Sequence, residues 1–362
     1  GDPENTARRL GVKTCPLIGF PGHEDEEEIE AELRNHDVFI WCGATGLSDY
    51  PETPLRIMAV AQRLGKKTML WGVGMNSELN PALYRVQPGR RRRVLSLVNA
   101  LSLHAIDAIR RQERLWERRV HRKIRTCLNR ADLIVVRDAE TKQLLQDIGV
   151  VNEITVGGDA AITLEPAPWD ALPLDDATRD VLQSPKRKLG VCISAQRAVK
   201  DRAGLIDCLD RITENGSTHI VFIPMNPVTD RALMRELQQA MKHPEKTTLL
   251  HNIREPRHVM TVVSVLDAVI SSRLHLLIFA SNAAVPMIAI ARGSKFDNYL
   301  RHYGLSPTGS TEKCDFVRIA SRTAEKTADE EEFRTRSVAI HTNLERELND
   351  AAAALAAVIR TF

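Results

Sequence analysis

One rhythm runs through the whole chain and limits what it can become. Short β-rich runs that end in polar or glycine-bearing turns alternate with stretches of helical periodicity. In the first half the runs are DVFIWCGA (37–44), KKTMLWGVG (66–74), ADLIVVRD (131–138) and EITVGGD (153–159). Between them lie TPLRIMAVAQRLG, a long helical region from about 90 to 130, and AETKQLLQDIG; apolar residues three and four apart mark these as helices, two of which close on glycine. Strands that are separated by helices must be joined by crossovers, and crossovers make a parallel sheet covered on both faces. The spacing therefore predicts a doubly wound α/β unit.

A proline-bearing, weakly apolar stretch, LEPAPWDALPLDDATRD (164–180), interrupts the rhythm and reads as a linker. The pattern then restarts with KLGVCIS (188–194), THIVFIPM (218–225), KTTLLHN (246–252), DAVISS (267–272) and VPMIAIA (285–291), with RALMRELQQAMK and RLHLLIFASNAA as helices between. At 362 residues the chain fits two domains of ordinary size. The expected division is 1–165, a linker over 166–180, and 181–362 ending in an alanine-rich helix whose acidic start, ADEEEFR, suits a helix N-terminus. Two such Rossmann-like domains facing across a cleft form the glycosyltransferase-B type of architecture, which binds ligands at the carboxyl ends of its strands.

No run of about 18 apolar residues exists, so no membrane span is predicted, and the polar opening GDPENTARRL is no secretory leader. The six cysteines lie far apart without metal-site spacing. A reduced, cytoplasmic enzyme without metal or cofactor is the resulting expectation. Net charge is only +3, but between Arg90 and Arg130 thirteen Lys or Arg face three acids. Such a field attracts an anionic membrane surface, for peripheral contact at its inner face, or forms a solvated helix face. With no nucleic-acid motif and little aromatic interleaving, nucleic acid is not an expected partner.

The chemistry concentrates in DAVISSRLHLLIFASNAAVPMIAIARGSKF (267–296), which is almost wholly apolar yet carries Arg273, His275 and Lys295. Charges taken out of water need partners. Arg273, Leu274 and His275 fall at a strand exit and first helical turn, where free backbone N–H groups already favour an anion. Lys295 leaves the next strand through the Gly293 turn, and Arg137 ends the strand ADLIVV at the corresponding edge of the first domain. Arginine suits a carboxylate through its fork and lysine a phosphate as a point charge. A compact ligand with both groups is expected.

These segments resemble the polysaccharide pyruvyl transferases. The likeness rests on WCGATGL (41–47), GKKTMLWGVGMN (65–76), ADLIVVRDAET (131–141), GGDAAITL (157–164), FIPMNPVTD (222–230) and above all SRLHLLIFASNAAVPMIAI with Lys295 beyond it. The resemblance implies transfer of the pyruvyl group of phosphoenolpyruvate onto two sugar hydroxyls as a ketal. It implies that Arg137, Arg273, Leu274 and Lys295 hold phosphoenolpyruvate and that His275 moves the proton. The acceptor it implies is a sugar of a cell-surface or exopolysaccharide precursor carried on a lipid. In this family a strand and glycine loop precede the segment that GDPENTARRLGV resembles, so a further βα unit is expected before residue 1. After KLGVCIS the family often places an arginine, whereas here Ala195 and Gln196 come first and Arg197 follows.

Gly43, Gly46, Gly72, Gly74, Asn76, Asp138 and Asp159 also stand at strand exits, where they can meet an acceptor or only shape turns. Two rivals remain. A nucleotide-sugar glycosyltransferase of the same fold would want an acidic residue for the ribose near the second domain's strand ends. A non-catalytic carbohydrate-binding relative would be expected to have lost the cations.

Overall fold

The computed structural model describes residues 3–20, 22–43, 45–102, 106–214, 218–324 and 328–361, with side chains left out at 324 and 328–330. Each of the nine runs read above is a strand. In the first sheet β1 (Val38–Cys42), β2 (Lys67–Val73), β3 (Leu133–Val136) and β4 (Thr155–Val156) lie parallel, in sequence order. In the second, β5 (Arg187–Cys192), β6 (Thr218–Phe222), β7 (Thr247–Leu249), β8 (Ala268–Ser271) and β9 (Met287–Ala289) take the order β7-β6-β5-β8-β9, again parallel. The winding reverses at β5. Beyond the carboxyl ends of β5 and β8 there is consequently a switch point, the place where such sheets open a crevice.

Every residue of β6, β8 and β9 is buried, as expected of strands covered on both faces. Both sheets use one device at their amino ends. Asp132 Oδ2 accepts from the Thr68 amide at 2.9 Å, and Asp267 Oδ2 accepts from the Lys188 amide at 2.7 Å, so a carboxylate just ahead of one strand pins the start of its neighbour. The helices Glu52–Arg63 and Ala139–Asp147 end on Gly65 and Gly149, whose φ values of 71° and 92° lie in the left-handed region that other residues resist.

Two compact units emerge: Gly1–Asp159 with Glu347–Phe362, and Ala160–Arg346. The stretch expected as a linker, 166–180, is tied to the second unit. Thr261 Oγ1 donates to the Ala167 carbonyl at 2.8 Å, and Leu172 is buried in that unit's core. The last helix, Ala328–Ile359, serves both units. Ser337 Oγ donates to the Ser281 carbonyl at 2.9 Å in the second, while in the first Ala351 comes close enough to Gly157 that an added Cβ would sit 3.0 Å from its own. The 90–130 region forms two helices, not one: Arg90–Leu101 and Ala108–Leu128. Asp107 restarts the second by accepting from the Arg110 amide at 2.9 Å. The six cysteines are free thiols, and burial pushes those of Cys192 and Cys208 up to about 12, which suits packing and not reactivity.

Candidate functional site

In the second unit the site grows from the exits of β5 and β8. Ser272 Oγ accepts from the Ser194 amide at 2.8 Å and ties the two exits together. Arg273 follows in extended conformation as the residue that precedes the helix Leu274–Asn282. Its guanidinium grips Asp230, which is fully buried at the start of the helix Thr229–Ala240. Nε reaches Oδ2 at 3.0 Å and Nη2 reaches Oδ1 at 2.7 Å. The same carboxylate accepts from the backbone amides of Ala195 at 3.0 Å and Asn226 at 2.9 Å. Four donors saturate its oxygens. On Arg273, Nη1 is left with only a long 3.5 Å contact to Gln196 Oε1.

Two further arginines join this pair. Arg292, just past β9, donates through Nη1 to Ser194 Oγ at 2.7 Å, while its buried Nε has no partner. Arg197 Nη1 donates to the Arg292 carbonyl at 2.8 Å. Burial, with added repulsion from Arg273 and Arg197, pulls the Arg292 guanidinium down to about 10. Three cations around one carboxylate leave two positive charges that no described acid neutralises. Such an excess, with an orphaned N–H, fits a multiply charged anion.

His275 is an exposed residue of the first turn of Leu274–Asn282, and Lys295 is the half-buried first residue of Lys295–His302. Cations at helix N-termini add to the positive end of the dipole and do not cancel it. Leu274, expected at the donor, packs its side chain into the core beneath the helix, 7% exposed, so only its backbone is placed to meet a ligand.

In the first unit Arg137 stands at the exit of β3 with its side chain only 9% exposed. It lies across Gly74: a Cβ there would be 2.4 Å from Nη2. Nε reaches Asp138 Oδ2 at 3.4 Å, and the buried Nη2 has no partner. A buried guanidinium with an idle donor is costly unless something accepts from it. Asp138 is engaged in structure, since its Oδ1 caps the helix Ala139–Asp147 through the Thr141 amide at 2.8 Å and hydroxyl at 2.7 Å. Asn76 donates through Nδ2 to Asp49 at 3.3 Å, and its buried Oδ1 has no partner.

The glycines divide. Gly43 and Gly72 have φ of 76° and 61° and shape the strand exits. Gly46 is small for packing, since a Cβ would lie 2.7 Å from the Trp41 ring. Asp159 follows β4 by three residues and is half-buried. Among the described residues no three His, Cys, Asp or Glu side chains gather closely enough to hold a metal. Sequence reasoning missed Asp230, Ser194 and Arg292 and assigned Arg197 no role. The signal existed: Asp230 closes the segment FIPMNPVTD, and Arg292 stands three residues before Lys295.

Two parallel Rossmann-like units with a basic site at a switch point define a protein of the glycosyltransferase-B fold class. Solved structures agree. A Listeria monocytogenes protein described as a UDP-N-acetylglucosamine 2-epimerase superposes with a TM-score of 0.61 at 14% identity, over 99% of this chain and 87% of that one. HepE of Anabaena, solved with UDP and glucose, gives 0.56 at 12% identity over 98% and 88%. The UDP-GlcNAc 2-epimerase of Methanocaldococcus jannaschii gives 0.52 at 13% identity over 89% and 83%. No curated protein matches the chain by sequence. The chain belongs to the polysaccharide pyruvyl transferase family, whose family model matches residues 2–294. It is thereby placed among transferases of polysaccharide biosynthesis.

Proposed function

We propose that this protein transfers the pyruvyl group of phosphoenolpyruvate onto two hydroxyls of one sugar, forming a ketal and releasing phosphate. The observation that carries the reading is the cluster of Arg197, Arg273 and Arg292 around Asp230 at the second unit's switch point. It provides surplus charge for a donor that is itself a trianion when fully ionised. Arg137, whose buried Nη2 has no partner, is a further candidate anion contact at the β3 exit of the first unit.

The chemistry needs a proton at the methylene carbon as the first hydroxyl adds to C2. The C2–O bond to phosphate then breaks, and the second hydroxyl closes the ring on the same carbon. The two hydroxyl protons end on the new methyl group and on phosphate, so atoms and charge balance. His275 carries the proton: its imidazole is exposed in the first turn of Leu274–Asn282, two residues after Arg273. Arg273, Arg292 and Lys295 neutralise the carboxylate and stabilise the charge that grows on the leaving phosphate. No cofactor is needed for this sequence of steps.

The acceptor is a lipid-linked saccharide, met by a cytoplasmic protein at the inner face of the membrane. HepE was solved with UDP and glucose, which makes a nucleotide-sugar donor the competing reading. Against it, the carboxylate inside the arginine cluster, Asp230, is saturated by Arg273 and two amides and has no oxygen left for a ribose. The test is phosphate release from phosphoenolpyruvate across a panel of lipid-linked and aryl glycosides, with UDP-sugars as control. Acceptor-dependent phosphate release supports the proposal; sugar transfer from a UDP-sugar without it would replace the proposal with the competitor.

A further inference from the structure

The helix Arg90–Leu101, RRRRVLSLVNAL, buries none of its residues. Val94, Leu97, Val98 and Leu101 are 60%, 60%, 40% and 76% exposed. Their spacing of three, four and seven places them on one face of the helix. Arg90 and Arg93 precede Val94 and Leu97 by one turn on the same side. The adjoining side, which carries the half-buried Leu95 and Asn99, is the one that is held. Arg91 lies over the Trp116 ring at 4.6 Å, Arg92 Nη1 donates to the Val86 carbonyl at 3.2 Å, and Asn99 Oδ1 accepts from the Ala108 amide at 2.7 Å. The helix is thus docked on Ala108–Leu128 with its aliphatic stripe turned to water.

The charges around it have few acidic partners. All thirteen Lys and Arg from Arg90 to Arg130 are exposed. Among the described residues only Lys123 forms an ion pair, with Glu52 at 3.3 Å. An exposed aliphatic stripe marks a surface that something covers, and arginines beside it without acidic partners select an anionic cover.

We propose that this face is an interfacial membrane anchor: Arg90–Leu101 lies in the plane of an anionic phospholipid surface, its aliphatic stripe sunk at the headgroup boundary and its arginines on the phosphates. Three physical arguments favour this occupant. A nucleic-acid backbone would use the cations but has nothing to offer four aliphatic side chains. A second copy of the same face would set ten net positive charges against ten, and like-charge contact of that kind is repulsive. A bilayer surface takes both groups at the depths where they stand on an amphipathic helix. No described helix is long and apolar enough to cross a membrane, so attachment through these residues is peripheral. The inference is independent of the reading of the site and requires no catalytic measurement.

Flotation of the full chain with phosphatidylglycerol–phosphatidylcholine vesicles, beside pure phosphatidylcholine, at low and moderate salt tests it. The expectation is binding to the anionic vesicles only, weakened by salt. Replacing Arg90, Arg91, Arg92 and Arg93 with Gln should lower partitioning about a hundredfold or more, since each cation near an anionic leaflet contributes roughly fivefold. Leu97→Gln with Leu101→Gln should lower it about tenfold at unchanged charge. Circular dichroism and thermal unfolding of both variants check that the fold persists. Failure of the wild type to float, equal flotation with neutral vesicles, or a leucine variant that binds as the wild type does would each overturn the anchor. So would a homopolymeric polynucleotide that binds the wild type in preference to vesicles, or a dimer of the wild type that the leucine variant loses.

Discussion

Asp230 holds Arg273 in a two-pronged ion pair, at 3.0 Å to Nε and 2.7 Å to Nη2, across 43 residues of chain. The carboxylate is fully buried and also anchors the amides of Ala195 and Asn226. It therefore fixes at once the guanidinium and the loop after β5. Asp230→Asn keeps the shape and removes the charge. Breaking a buried pair from one side costs about 3 to 5 kcal/mol, so urea denaturation should show a loss of that order. An unchanged midpoint would mean that this pair does not hold the β5 exit.

Gly74 offers a separation of stability from function. An added Cβ would meet Arg137 Nη2 at 2.4 Å, and the guanidinium is the movable end of a flexible side chain. Gly74→Ala should therefore cost under about 1 kcal/mol yet displace the cation. The expected result is a thermal midpoint near wild type with donor affinity reduced as far as in Arg137→Ala, where loss of a charge-assisted contact costs about 1.5 to 3 kcal/mol. Calorimetry showing wild-type affinity for phosphoenolpyruvate in both variants would place the donor away from Arg137.

Arg292 carries the pH dependence. Its guanidinium is pulled well below the ordinary arginine value, to about 10, by burial and by Arg273 and Arg197. The folded chain holds this proton less tightly than the unfolded chain, so its charge weighs against the fold at neutral pH and stability rises as pH climbs from about 10 toward the ordinary arginine value. A bound dianion relieves that penalty while Arg292 is charged. In anion-free buffer Arg292→Gln should raise Tm, and it should shrink the Tm gain that phosphate confers on the wild type at pH 7 to 9. A phosphate-induced gain of wild-type size in the variant would remove Arg292 from the anion site.

His275 lies exposed on a helix whose neighbours carry the packing. His275→Ala should leave the unfolding midpoint unchanged and slow transfer by roughly 10² to 10⁴, the range for loss of a general acid or base. Near-full activity in the variant would end its assignment as the proton carrier.

Much of this was legible in the residues in order. The nine strands, the helices between them and the cations at strand exits follow from short apolar runs, turn residues and i, i+4 spacing, which are properties of neighbours in sequence. The basic region from 90 to 130 was equally visible, but a count of charges could not say that its helix turns Val94, Leu97, Val98 and Leu101 to water.

Sequence by itself thus determined a chain of parallel crossovers with arginine, histidine and lysine at their ends. Tertiary structure alone decided that the winding reverses at β5, that Asp230 reaches Arg273, and that Arg197 and Arg292 complete the cluster. It also decided that the last helix returns to Gly157 in the first unit. The physical reason is range. Backbone propensity and periodicity act over a few residues, whereas strand order and the meeting of charges depend on how distant segments share one core, and no local pattern encodes which buried carboxylate a given arginine will find.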